Sequence, residues 1–411
     1  KRFMPLLVCA VIGVAFLCAA LVVGPASAAA QPQVSSEVLF VKPLPNLPQG
    51  VVCDIYLTNG VIVDGNGGTP YAGGVAILGD KIVDVGACQP APGAQIIDVG
   101  GRYITPGFID IHTHTDDYWP NKGDGLMVLN QGVTTQIVGN CGTSVSNVAE
   151  YLDSVEGAAI NVGTFYGYKA LRRSFLSDAA AMTDAALAQM ETQLAAAIDN
   201  GALGLSVGLS YYPQTKASYE ELLALAKVVA EKDALFANHI RDEYSGVVAS
   251  VEEMINLTRD SGVRMQYNHI KAAGRSNWDL QDQILQLFNA AIAEGLDIRG
   301  DAYVYEFSSW DVSGTGISVS MDNIKKVLQN PYVMVGSDSG LSASGRAVHP
   351  RAYANAVAVL IRMVRDESVL RLEEAVQKMT SMPADRLGIE NRGRLAKGMQ
   401  TDIAVFRLEF G

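Results

Sequence analysis

Histidine is scarce in this chain: 411 residues hold five, with three tryptophans and five cysteines. Basic charge is also in short supply, 31 Lys and Arg against 43 Asp and Glu, for a formal charge of −12. Such a surface repels phosphate backbones and anionic lipid, which excludes a nucleic-acid partner and demands a local Lys or Arg for any substrate carboxylate. Long apolar runs are missing except for one, residues 3–23, and no internal repeat is evident. That run follows Lys1 and Arg2 and leads to Ala26-Ser27-Ala28, the pattern of a secretory signal peptide over residues 1–28, cleaved after Ala28. An uncleaved anchor is the alternative, since about 18 apolar residues can already span a bilayer, but no basic stop-transfer cluster follows. Starting at Lys1 rather than Met, the sequence reads as an incomplete precursor. Cleavage makes the charge two units more negative, removes stable membrane association, and takes Cys9 and Cys18 away. Cys53, Cys88 and Cys141 remain, an odd number. In an oxidising compartment Cys53 and Cys88 can pair; two free buried thiols are the alternative.

Residues 29–50 carry four prolines without periodicity and read as a linker. Residues 51–105 are short β-branched runs broken by turn residues, which predicts a small antiparallel β unit with Asn59-Gly60 as a hairpin turn and Gly73-Gly74 as a break. Beyond Pro106 apolar strands alternate with amphipathic helices, the signature of parallel βα units. Eight strand candidates fall at 108–113, 134–138, 160–166, 203–209, 235–239, 264–269, 297–303 and 333–337. Between them, Ser218-Tyr219-Glu220-Glu221 reads as a capping box, and Gly201 and Gly262 as helix stops. Eight strands predict an α/β fold, a (β/α)8 TIM-like barrel over residues 106–383. Residues 384–411 return to turn-plus-strand character and are expected to rejoin the first β unit as a small, discontinuous β-sandwich domain.

Four of the five histidines sit at or just past predicted strand ends: His112 and His114 on the first, His239 on the fifth, His269 on the sixth. The C-terminal ends of barrel strands are where catalytic groups converge from distant sequence. Two imidazoles two residues apart on a strand share a face and can chelate one ion. An isolated His-x-His is weak; four strand-end histidines together are not easily explained by packing. Cys141 just after strand two and Asp338 just after strand eight complete the set, because a thiolate can bridge cations and a carboxylate beside bound water can accept its proton.

The run Thr105-Pro106-Gly107-Phe108-Ile109-Asp110-Ile111-His112-Thr113-His114 resembles the first-strand motif of the amidohydrolase superfamily. A closer resemblance is to the D-aminoacylases, the N-acyl-D-amino-acid deacylases. It rests on Gln131 to Thr135 leading to Gly139-Asn140-Cys141-Gly142, on Gly204-Leu205-Ser206, Leu209-Ser210-Tyr211, His239 to Glu243, Asn268 to Lys271, Asp301-Ala302-Tyr303, Gly336-Ser337-Asp338, His349-Pro350-Arg351 and Arg392 to Leu395. Cys141 in place of a bridging lysine separates this family from hydantoinases and dihydroorotases.

The resemblance implies a tight zinc held by Cys141, His239 and His269, a weaker second metal position at His112, His114, Cys141 and Asp338, and Asp338 as general acid/base. It implies further that Tyr211, Lys271, Tyr303 and Arg351 bind substrate, and that the reaction is hydrolysis of an N-acyl amino acid. A cyclic amidase or dipeptidase of the same superfamily, or a metal-binding relative without catalysis, are the alternatives. The sequence departs from the family in four places. Only residues 306–337 stand where a long insertion normally shields the site, the segment between Cys141 and Gly204 is short, Gly167-Tyr168 replaces Gly-His, and the chain reaches Gly411 before the family's last strands. Loss of a lid predicts a wetter site, with slow, broad amidase activity or none. A shortened β domain predicts an uncovered sheet edge and marginal stability.

Overall fold

The computed structural model describes residues 8–10, 51–86, 88–121, 123–308, 317–347 and 349–409. The expected signal peptide and linker lie outside these residues except for strand Val8–Ala10, whose backbone pairs in parallel with Ile403–Phe406.

Eight strands form the barrel: β1 (Phe108–Asp110), β2 (Val133–Val138), β3 (Asn161–Thr164, resuming at Tyr166–Gly167), β4 (Gly204–Gly208), β5 (Leu235–His239), β6 (Arg264–Tyr267), β7 (Ile298–Ala302) and β8 (Val333–Val335). Every neighbouring pair is parallel. β3 joins two ladders, its first part pairing with β2 and its second with β4. The ring closes where Ser339–Gly340 pairs in parallel with Thr113–His114 and Asp338 N–H donates to the His112 carbonyl at 2.8 Å. β2, β4 and β5 are buried at every position, as parallel strands covered on both faces must be.

Helices pack outside because their apolar spacing is helical. In helix Tyr219–Glu231, Leu222, Leu225, Ala226 and Val229 are fully buried, at the i, i+3, i+4 and i+7 spacing of one face. Each such Leu or Val contributes roughly 1.5–3 kcal/mol. Ser218 caps this helix by accepting the Glu221 N–H, but only half of the expected capping box forms. The Glu221 carboxylate turns away to the Tyr168 hydroxyl, a buried donor that needs a partner more than the exposed Ser218 N–H does. Gly262 stops helix Val247–Ser261 in the left-handed conformation (φ 72°).

In the small domain, Val52–Ile62 is one continuous strand, so Asn59-Gly60 is not a turn. Asn59 (φ 58°) makes a bulge there, its amide donating to Asp98, while Gly60 lies so close to Ile104 that a Cβ would sit 2.4 Å from Cδ1. Gly73-Gly74 likewise stays within strand Tyr71–Leu78. The sheet is mixed rather than antiparallel: Val52–Ile62 runs antiparallel to Tyr71–Leu78 and parallel to both Gln89–Asp98 and Tyr103–Pro106. Ile403–Phe406 pairs antiparallel with Tyr103–Pro106, and Leu395, Ile403 and Val405 bury against Leu57, Ile62, Val75 and Ile104. A Cys53–Cys88 disulfide ties the long strand to the segment preceding Gln89, and Cys141 is free and buried.

Candidate active site

At the C-terminal end of the barrel, β1 stops at Asp110, leaving His112 in a short irregular stretch before Thr113–His114. Both histidines nonetheless face one carboxylate: Asp338 Oδ1 lies 3.5 Å from His112 Nε2 and 3.1 Å from His114 Nε2. His112 Nε2 is 3.5 Å from Cys141 Sγ, and His269 Nε2 is 3.7 Å from the same sulfur. Cys141, His269 and Asp338 all have left-handed backbones (φ 52°, 38° and 50°). Such conformations cost on the order of 1–3 kcal/mol each and persist where surroundings impose them. The Asp301 carboxylate accepts the His269 N–H at 2.8 Å, the Cys141 carbonyl accepts from Gln214, and Gln214 packs where a Cβ on Gly142 (φ 72°) would clash.

His112, Cys141, His269 and Asp338 present ligand atoms within 4.8 Å of one another. His239, Glu243 and His269 form a second such group, so His269 belongs to both, its Nε2 toward Cys141 and its Nδ1 2.9 Å from Glu243. His239 Nε2 is engaged by Ser210 Oγ at 2.7 Å, and its buried Nδ1 has no partner among the described residues. Cys141 and His239 therefore fall in different groups that share His269, whose ring lies 4.5 Å from the His239 ring. One buried thiol, several imidazoles and a carboxylate nevertheless make a donor set suited to zinc, and an unpartnered buried imidazole nitrogen is what a metal would satisfy. Burial opposes charge on Cys141, yet His112 and His114 hold its thiol well below its ordinary range, toward the thiolate that binds metal. Asp338 is likewise kept ionised against burial, chiefly by Arg351 and His114.

The expected substrate groups surround this cluster. Arg351 Nη2 is 2.9 Å from Asp338 Oδ2, and its guanidinium lies over the Tyr303 ring at 4.5 Å. Tyr303 is buried, and its hydroxyl has no partner among the described residues. Tyr211 packs on His239 with ring centroids 4.7 Å apart. Burial, then Cys141 and Glu243, push its phenol upward, so it stays a donor. Lys271 Nζ is 2.6 Å from Glu243 Oε1 and 3.0 Å from His269 Nδ1.

Three site residues were given no role by the sequence. Glu243 and Asp301 were visible inside strand-end motifs, but a carboxylate there has no periodicity that marks it; only the closed barrel shows Glu243 against Lys271 and Asp301 against His112 (3.1 Å). Against burial, Lys271, His269 and His239 hold the Glu243 carboxyl well below its usual range. His349, the fifth histidine, accepts the Arg351 N–H on Nδ1, and burial with Arg351 nearby lowers its pKa to about 4. It therefore stays a neutral acceptor and fixes the start of the helix that carries Arg351.

The Amidohydrolase family profile matches residues 103–410. An N-acyl-D-glutamate deacylase of Alcaligenes xylosoxydans xylosoxydans is 32% identical, with 86% of this chain and 87% of that protein covered. The crystal structure of an N-acyl-D-glutamate deacylase from Bordetella bronchiseptica, in complex with zinc and a phosphonate mimic of the tetrahedral intermediate, superposes with a TM-score of 0.80 at 28% identity, covering 86% and 90% of the two chains. A D-aminoacylase structure, described for its binuclear metal centre, gives a TM-score of 0.78 at 25% identity, covering 86% of this chain and 90% of its own.

Proposed function

This chain belongs to the amidohydrolase family, in the branch of D-aminoacylases and N-acyl-D-amino-acid deacylases, and from that premise we propose that it hydrolyses the amide bond of N-acyl-D-amino acids, releasing a carboxylate and a free amino acid. The observation that carries the proposal is the buried convergence of His112, Cys141, His269 and Asp338 at the strand ends, with His114 and His239 adjoining. Those residues would hold one zinc ion or two. Zinc bound there supplies Lewis acidity to the substrate carbonyl and brings the pKa of water near 7.

The chain's own groups then have distinct tasks. Asp338, ionised and placed between His114 and Arg351, accepts a proton from the attacking water and returns it to the departing amine nitrogen. Tyr303 and Tyr211 offer hydroxyl donors to the carbonyl oxygen as it gains charge. Arg351 and Lys271 supply the local positive charge that a substrate carboxylate needs in an otherwise acidic protein. Preference for the D-isomer is taken from the names of the relatives. Cys141, standing where cyclic amidases carry a lysine, favours the linear substrate.

The same reading includes export. The leader over residues 1–28 supports it, and the Cys53–Cys88 bridge suits an oxidising compartment. The test is elemental analysis of wild-type and Cys141→Ala protein, alongside amine release from a panel of N-acyl D- and L-amino acids. Zinc that depends on Cys141, with turnover of D-substrates, is the expected result. Zinc without turnover of any amide would refute the deacylase, and absence of zinc would refute the site.

A further inference from the structure

Asp301 ends β7 inside the barrel, is fully buried, and touches two candidate ligands that come from different strands. A single oxygen, Oδ1, lies 3.1 Å from the His112 ring nitrogen Nδ1 and 2.8 Å from the main-chain N of His269, which donates to it. The other oxygen, Oδ2, accepts from Gln266 Nε2 at 2.9 Å. Between them these contacts engage both carboxylate oxygens, and Asp301 belongs to neither group of candidate ligands among the described residues.

From this arrangement we infer that Asp301 is a positioning residue of the metal centre, fixing His112 as the tautomer that donates from Nδ1 and offers Nε2, while pinning His269 in its left-handed backbone. The inference rests on the zinc reading of the site given above. His112 Nε2 points toward Cys141 Sγ and Asp338, so whichever ion sits among them meets a lone pair rather than a proton only if Nδ1 carries the hydrogen. An anion on Nδ1 enforces that choice and raises the ligand's basicity. The His269 contact is independent of the first. With φ at 38°, His269 gains its pose from outside its own strand, and the Asp301 side chain supplies one of the two hydrogen bonds that tie this turn to β7; the Asp301 carbonyl, accepting the Ile270 N–H at 2.9 Å, supplies the other. One side chain thereby couples ligands of β1 and β6 across the barrel.

The test is zinc affinity by chelator competition for wild type, Asp301→Asn and Asp301→Ala, with nitrogen-15 NMR of the His112 ring in the zinc-loaded wild type. Asn keeps the volume and an acceptor oxygen but not the charge, so zinc should weaken by roughly 10-fold there and up to about 100-fold in the Ala variant. In the wild type the His112 proton should reside on Nδ1. A His112 proton on Nε2 would overturn the inference even if neither variant folds. So would folded variants that bind zinc as tightly as wild type. A wild type that binds no zinc would instead remove the metal reading, and the inference with it. Zinc bound by an inactive wild type and weakened in the variants, with the His112 proton on Nδ1, supports the positioning role and refutes only the substrate assignment.

Discussion

Removing the carboxylate of Glu243 and the ammonium of its partner together should cost less than the sum of removing each alone. In the fold, Lys271 Nζ sits 2.6 Å from Glu243 Oε1, with His269 Nδ1 at 3.0 Å, the His269 carbonyl at 3.4 Å and the Tyr303 ring also beside it. Burial works against the Lys271 charge and Glu243 overcomes it, holding the ammonium above its usual pKa. Glu243→Gln leaves that ammonium buried without its nearest counter-charge, a loss of about 3–5 kcal/mol, toward the lower end because Asp338 still acts on it and the Gln oxygen still accepts. At ~2.1 cal/mol/K per residue, a barrel of roughly 300 residues has an unfolding entropy near 0.6 kcal/mol/K, so Tm should fall by about 5 °C. Lys271→Met should cost a similar amount by removing the nearest cation from Glu243. The double variant removes both charges and should be about 2–3 kcal/mol better than the sum of the singles. Thermal and urea unfolding at one fixed free zinc concentration measures this cycle, since bound metal itself raises Tm. Single-variant losses that add within about 0.5 kcal/mol would refute the coupled buried pair.

Asp338→Asn should lower kcat by roughly 10²- to 10⁴-fold and weaken whatever zinc this carboxylate helps to hold, measured by steady-state kinetics and elemental analysis. Reducing the Cys53–Cys88 bridge, whose partners are 35 residues apart, should cost about 3–4 kcal/mol in the small domain, read by unfolding of Cys53→Ser/Cys88→Ser protein; an unchanged midpoint would contradict a stabilising bridge. Buried Lys378 donates to the Asn330 and Val333 carbonyls, and burial lowers its pKa to about 8. Between about pH 8 and the ordinary value of 10.5 the unfolded chain holds a proton that the folded one has released, so this group's contribution to stability rises with pH, by up to about 3 kcal/mol. The stability difference between wild type and Lys378→Met, taken by denaturation at pH 7.5 and 10, should shift by about 2 kcal/mol; no shift would place the Lys378 pKa near its ordinary value.

Much of the barrel was legible before the structure because its signals are local. The segment 235–239 reads as an apolar run bounded by turn residues and is the strand Leu235–His239, since a strand buried on both faces selects its residues one by one. The small domain was less legible for the complementary reason. Asn59-Gly60 suits a two-residue turn in isolation, yet the glycine is there to let Ile104 approach, a contact between positions far apart in the chain. The segment that would have tested the shortened lid lies partly outside the described residues, at 309–316.

By itself the sequence determined the residue types at the strand ends: scarce histidines, the thiol of Cys141, and an aspartate after the eighth strand. Strand order and the rule that loops gather at one end of a barrel were enough to bring them together. What only the tertiary structure decided was the pairing of individual atoms. His269 faces Cys141 through one nitrogen and Glu243 through the other, His239 groups with Glu243 and His269, and Asp301 holds His112 and His269 at once. Those choices depend on ring rotations and on backbone angles at three left-handed residues, set by contacts between strands that close the barrel, and no spacing along the chain encodes them.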